Sequence, residues 1–162
     1  MAVDMFLELE KIAGETQDDK MSAKDAMDLL AYSWGISQSG TTHLGSGSGA
    51  GKVNVQDLSI TKYVDLASPV LIQKCTKGDH IPTGKLTVRK AGGEQLEYIT
   101  IEMKDIIVTS VSTGGSGGED RLTENVSLNF SQYKIVYSEQ LPSGKAGKQP
   151  EFAYDIAANK TL

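Results

Sequence analysis

The sequence predicts a mainly β protein, an antiparallel barrel or sandwich with one short flanking α-helix. Apolar residues recur at every second position in several separate runs, and Gly-, Pro- and Asp-bearing turns divide those runs. A single stretch, about residues 69–77, breaks the alternation with helix start and stop signals. Many strands and one helix in a single chain define this architecture.

The first strand is read from Val3 to Leu9, where Val3, Met5, Leu7 and Leu9 share one face. From Asp28 to Ser37 the bulky set Leu30, Tyr32, Trp34 and Ile36 alternates with Ala31, Ser33, Gly35 and Ser37. The bulky set is assigned to the core and the small set to the opposite face. Val53 and Val55, then Leu58 and Ile60, continue the pattern with a phase slip at Gln56 and Asp57 that predicts a bulge. Ser68 reads as the N-cap of a helix over 69–77, with Pro69 at the first helical position and Gly78 as the left-handed stop. Leu71 and Cys75 are one turn apart and face the sheet.

Leu86–Lys90 and Glu94–Ser112 flank Ala91, Gly92 and Gly93 and predict a hairpin. In the next strand Val126, Leu128 and Phe130 are even-numbered, whereas Tyr133, Ile135 and Tyr137 are odd, which predicts a second bulge. Residues Leu141–Pro150 read as a solvated loop before a last strand, 151–156.

The chain of 162 residues is long enough for one domain spanning 1–162 with a real core. Its formal net charge of -5, with scattered basic residues, argues against nucleic acid as a partner. No apolar run predicts membrane insertion, and Asp4, Glu8 and Glu10 interrupt any signal-like start. The lone cysteine, Cys75, excludes an intrachain disulfide and reads as an inert core thiol.

Two glycine motifs imitate catalytic ones. Gly45–Val53 ends in Gly-Lys like a phosphate loop, but Ser46 stands where that motif needs glycine, and Val53 where it needs Ser or Thr. Gly114–Gly118 matches the outline of a nucleophile elbow at Ser116, yet His43 and His80 both precede it and no helix pattern follows. Neither histidine has metal-ligand spacing, so both read as solvated loop residues. The chain is expected to be non-enzymatic and to need no cofactor or metal. A nucleotide-binding enzyme using residues 45–52 is the reading from another class, and a monomeric carbohydrate-binding sandwich is a third.

Three blocks carry a resemblance: VSTGGSGGEDRLTENVSLNF at 111–130, AVDMFLELE with Gly14 and Glu15, and YSWGISQSGTTHLGSGSGAGKVNVQDLSITKYVD at 32–65. With LTVRKAGGE at 86–94, the chain resembles the haemolysin-coregulated protein (Hcp) family over most of 1–137, and the likeness fades after Tyr137. The resemblance implies a barrel that assembles into a hexameric ring, with rings stacked into the tube of a bacterial type VI secretion system. The implied partners are further copies of the chain, a VgrG-like spike protein, a contractile sheath and small effector proteins in the lumen. It implies assembly in the cytoplasm and export through the apparatus without a signal peptide. A phage-type tail-tube protein is the alternative.

On that resemblance Ala31, Ser33 and Gly35 line the lumen. An extended loop at about 38–51, with Gln38, Ser39, His43, Gly45, Gly47, Gly49 and Gly51, reaches the next ring. The charged cluster Glu119, Asp120, Arg121 and Glu124 is assigned to turn stabilisation or the subunit interface.

Overall fold

The computed structural model describes residues 2–40, 43, 51–91 and 94–162. Among the described residues ten strands and one α-helix follow in the order β1 (Val3–Leu9), β2 (Met27–Ser33), β3 (Ile36–Ser37), β4 (Asn54–Val55), β5 (Leu58–Tyr63), α1 (Ser68–Lys77), β6 (Ile81–Lys90), β7 (Glu97–Thr113), β8 (Thr123–Tyr137), β9 (Glu151–Asp155) and β10 (Lys160–Thr161). The sheet runs β8-β5-β2-β1-β6-β7, and β7 pairs back onto β8, closing a six-strand antiparallel barrel. β9 and β10 extend it from β8, while β3 and β4 form a separate small hairpin. Closure removes the sheet edges that would otherwise invite other chains along most of the barrel.

The core is filled from all six barrel strands by Leu7, Met27, Leu58, Ile60, Leu86, Ile101, Met103, Ile106, Val108 and Leu128. Helix α1 packs against β7 and inserts Leu71, with Cys75 packed against the same cluster. Pro69 starts the helix and Gly78, at φ 67°, ends it, donating its N–H to the Lys74 carbonyl. Ser68 is not the expected cap. Ala67 holds that position, its N–H bonds to Asp65 Oδ1, and the Ser68 hydroxyl is drawn inward to Glu124 instead.

The single alternation read across Asp28–Ser37 is corrected at its start and its end. The β2–β5 register shifts between Leu29 and Ala31, so Met27 and Leu29 are buried before the bulge and Tyr32 and Trp34 pack on the core after it. Leu30 occupies the extra position and is 41% exposed, and Ile36, in the β3–β4 hairpin, is 46% exposed. The slip at Gln56 and Asp57 is a break between β4 and β5 rather than a bulge in one strand.

The change of parity at Phe130 and Tyr133 also has a different cause from the one expected. The β7–β8 register is unshifted there, with Ile106 opposite Phe130 and Met103 opposite Tyr133. Asp105, at φ 56°, turns the β7 backbone over, and both strands change face together. A bend shared by both partners keeps the ladder that a one-sided bulge would interrupt. Beyond it β8 leaves β5 and pairs with β9.

The outer face of β1 is not simply solvated. Residues 13–26 fold over it and bury Phe6 against Met21 and Ala26. Gly14 is needed where this segment meets β2, because a Cβ there would run into the Ala26 backbone and the Met27 side chain. Asp18 clamps the segment: it takes two bonds from the Arg89 guanidinium and also accepts the Lys20 and Met21 N–H groups, each at 3.0 Å. Arg89 is almost wholly buried and lies 4.9 Å from the Phe6 ring centre. Those bonds from Arg89 hold the Asp18 carboxyl at about 2, against an ordinary value of 3.8.

Candidate functional site

Past the bulge at Leu30, β2 aligns with β5, β8 and the second half of β7, and the outward residues fall into rows. One row is Ser33–Ser59–Ser127–Ser110 and the next is Ala31–Thr61–Asn125–Ser112. None of the eight is charged or aromatic. Three strand spacings make this array roughly 14 Å wide. Several of its members bond to one another: Thr61 Oγ1 donates to Asn125 Oδ1 at 2.7 Å, and the Ser59 and Ser127 hydroxyls are 3.5 Å apart. At its border Asp57 accepts from Thr109 Oγ1 at 2.7 Å and Asn129 Nδ2 at 2.9 Å, so both carboxylate oxygens are already engaged. The result is a hydroxyl- and amide-lined wall with weak adhesive chemistry.

Ala31 and Ser33 are exposed on this wall. Gly35 differs from the expectation, because the Gln56 side chain covers it and a Cβ would stand 2.9 Å from Gln56 Oε1. Two stretches at the sides of this sheet have a strand ladder on one side only. β1 pairs with β2 no further than Leu29, leaving Ala31–Ser33, and β6 pairs with β7 no further than Ile106, leaving Ile107–Thr113.

The charged cluster divides. Glu119, Asp120 and Arg121 are exposed, and the Arg121 guanidinium lies 3.8 Å from the Tyr63 ring centre. Glu124, assigned from sequence to the same surface, is instead 1% exposed and faces the interior. It accepts from Lys62 Nζ at 2.6 Å and Ser68 Oγ at 2.5 Å. Lys62 is fully buried and also donates to Asp65 Oδ1 and the Tyr63 carbonyl, each at 2.8 Å. This network ties the start of α1 to β5 and β8. The reading by clusters missed it, although parity signals it: Lys62 follows Leu58 and Ile60, and Glu124 precedes Val126 and Leu128, on the core-facing positions.

Of the loop residues, Gln38, Ser39, His43 and Gly51 are exposed, while Gly45, Gly47 and Gly49 lie outside the described residues, as do Gly92 and Gly93 of the predicted hairpin turn. Lys52 leads into a strand and Ser116 into a bend before β8, so neither glycine motif opens the helix its catalytic counterpart requires. His80 is not merely solvated, since its Nδ1 pairs with Asp105 at the bend. Among the described residues no group of three His, Cys, Asp or Glu side chains could hold a metal, and no helix is long and apolar enough to cross a membrane.

These elements define a closed six-strand antiparallel barrel with a lateral helix and an uncharged wall on one face. The family model described as "Type VI secretion system effector, Hcp" matches residues 6–137. Hcp1 of Pseudomonas aeruginosa is 55% identical over 161 residues, 98% of each chain. The crystal structure of Hcp1 from Salmonella typhimurium covers 100% of both chains at 40% identity with a TM-score of 0.82. A structure titled as a type six secretion system protein is 28% identical, covers 99% of this chain and 100% of its own, and gives a TM-score of 0.92. The chain belongs to the Hcp family and is a type VI secretion system protein.

Proposed function

We propose that this chain, acting as one domain over 1–162, is the structural tube subunit of a type VI secretion apparatus. Six copies close into a ring, rings stack into a tube, and small effector proteins travel in the lumen. A VgrG-like spike caps the tube and a contractile sheath expels it, so the protein is assembled in the cytoplasm and then leaves the cell. Its role is mechanical and not catalytic.

The observation that carries this reading is the uncharged wall on a sheet whose two side stretches have a ladder on one side only. A heterologous contact between such sides repeats from copy to copy and closes a ring, and the wall then faces inward. Ala31 and Ser33 touch cargo. Gln38, Ser39, His43 and Gly51, with Gly45, Gly47 and Gly49 between them, reach the next ring. Glu119, Asp120 and Arg121 serve the contact between subunits, whereas Glu124 is withdrawn from it by its bonds to Lys62 and Ser68. Native mass spectrometry of the purified protein is expected to give a discrete species of about six subunits. A monomer alone at micromolar concentration overturns the ring.

Ser33→Gln tests the wall. Its exposed position predicts a stability change within about 0.5 kcal/mol, while retention of a cognate effector falls because a longer amide projects from an otherwise low surface. An intact ring that holds effector as well as the parent removes Ser33 from the cargo surface.

A further inference from the structure

A groove of about 590 Å³ contains no residue of the uncharged wall. It lies on the outer side of β1, β6 and β7, bounded by the turn after β1 and by Lys24 and Asp25. Lys11 and Asp25 hold left-handed backbones at φ 62° and 54°, a costly conformation for non-glycine residues that fixes both turns. Charges alternate across the strands here: Glu8 stands opposite Lys85, Lys85 opposite Glu102, and Glu102 opposite Lys134.

The charges lining the groove make no close ion pair with one another. Lys85 is 3.9 Å from Glu97, outside the lining, and Glu10 accepts from the Thr83 hydroxyl at 3.1 Å. Lys24 and Lys104 have no ion pair among the described residues. Glu8 Oε2 is shielded from water and has no hydrogen-bond donor. A shielded carboxylate oxygen without a donor is unfavourable, and an incoming cation relieves it. Glu8 as a whole is only partly buried and its side chain lines the groove.

We propose that this groove binds a mixed-charge peptide segment of a protein partner. A Lys or Arg side chain donates to Glu8, and a neighbouring carboxylate reaches Lys24 or Lys104. A segment of alternating charge complements the alternation across the strands, whereas a neutral one leaves both signs unmatched. The site is independent of the tube reading and stands whether or not rings form.

The test uses a fluorescein-labelled acetyl-Lys-Glu-Lys-Glu-Lys-amide peptide and its all-glutamine counterpart, titrated with the purified protein and followed by fluorescence anisotropy. The charged peptide is expected to bind saturably and to weaken roughly tenfold in about 0.5 M NaCl, where screening acts within a few ångströms. Glu8→Gln is expected to weaken it roughly fivefold or more, while Lys145→Gln, at an exposed lysine outside the groove, leaves it unchanged. Lys24→Gln replaces Glu8→Gln if the latter lowers the melting temperature. Absence of saturable binding, equal binding of the glutamine peptide, or indifference to both groove substitutions overturns the proposal.

Discussion

Glu124→Ala is expected to destabilise the protein by about 3 kcal/mol, because removing one partner of a buried pair strands the other. Lys62 is fully buried, and Glu124 Oε1 is its shortest contact at 2.6 Å. Asp65 at 2.8 Å stays in place, which keeps the loss near the low end for a broken buried pair. The Ser68 hydroxyl loses its acceptor as well, so the start of α1 loosens with the barrel. The melting temperature should fall by roughly 6–12 °C for a chain of this size. Lys62→Met combined with Glu124→Leu and Asp65→Asn should recover much of the loss, since apolar residues of similar volume replace a buried pair at little cost and an amide oxygen at 65 still accepts from the Ala67 N–H. Urea unfolding of the parent and the two variants decides: a loss below about 1 kcal/mol for Glu124→Ala places little weight on the pair.

Asp18→Asn should make the protein less stable at neutral pH by about 1–2 kcal/mol, with a difference that vanishes in acid. A carboxyl held at about 2 against an ordinary 3.8 corresponds to roughly 2 kcal/mol, and the 18% exposure of the Asp18 side chain lets solvent screen part of it. Because the folded-state value is depressed, this stabilisation is complete above the unfolded value near 3.8 and is lost as pH falls towards 2. The parent and variant unfolding curves should therefore separate above about pH 4 and converge near pH 2. A constant difference across that range assigns the clamp to packing of residues 13–26 and not to the Asp18 charge.

Much of the barrel was legible because the signals were local. The 126–130 run alternates cleanly, Leu7 and Leu9 keep the period read over Val3–Leu9 although Val3 is exposed and Phe6 is buried on the other face, and Pro69 and Gly78 bracket the helix within a residue of its observed span. The small outward residues Ala31 and Ser33 were legible for the same reason, since a two-residue period divides a strand into faces. Leu30 was misassigned because a β-bulge changes the parity without leaving a mark that period alone can read, and Ile36 because the chain leaves the barrel for the separate β3–β4 hairpin. Glu124 was misassigned because it was grouped with its exposed neighbours instead of with the strand parity of Val126 and Leu128.

The sequence by itself determined the fold class, the lone helix and the family, since these rest on patterns between near neighbours and on motifs carried within single segments. Tertiary structure alone decided that β7 returns to β8 to close the barrel, and that both strands turn over together at Asp105. It also decided that Lys62 meets Glu124 and that Arg89 meets Asp18, pairs separated by 62 and 71 positions. Nothing local encodes such pairings. They arise where closure forces distant strands into register, and a buried charge is stable there only where that register supplies its partner.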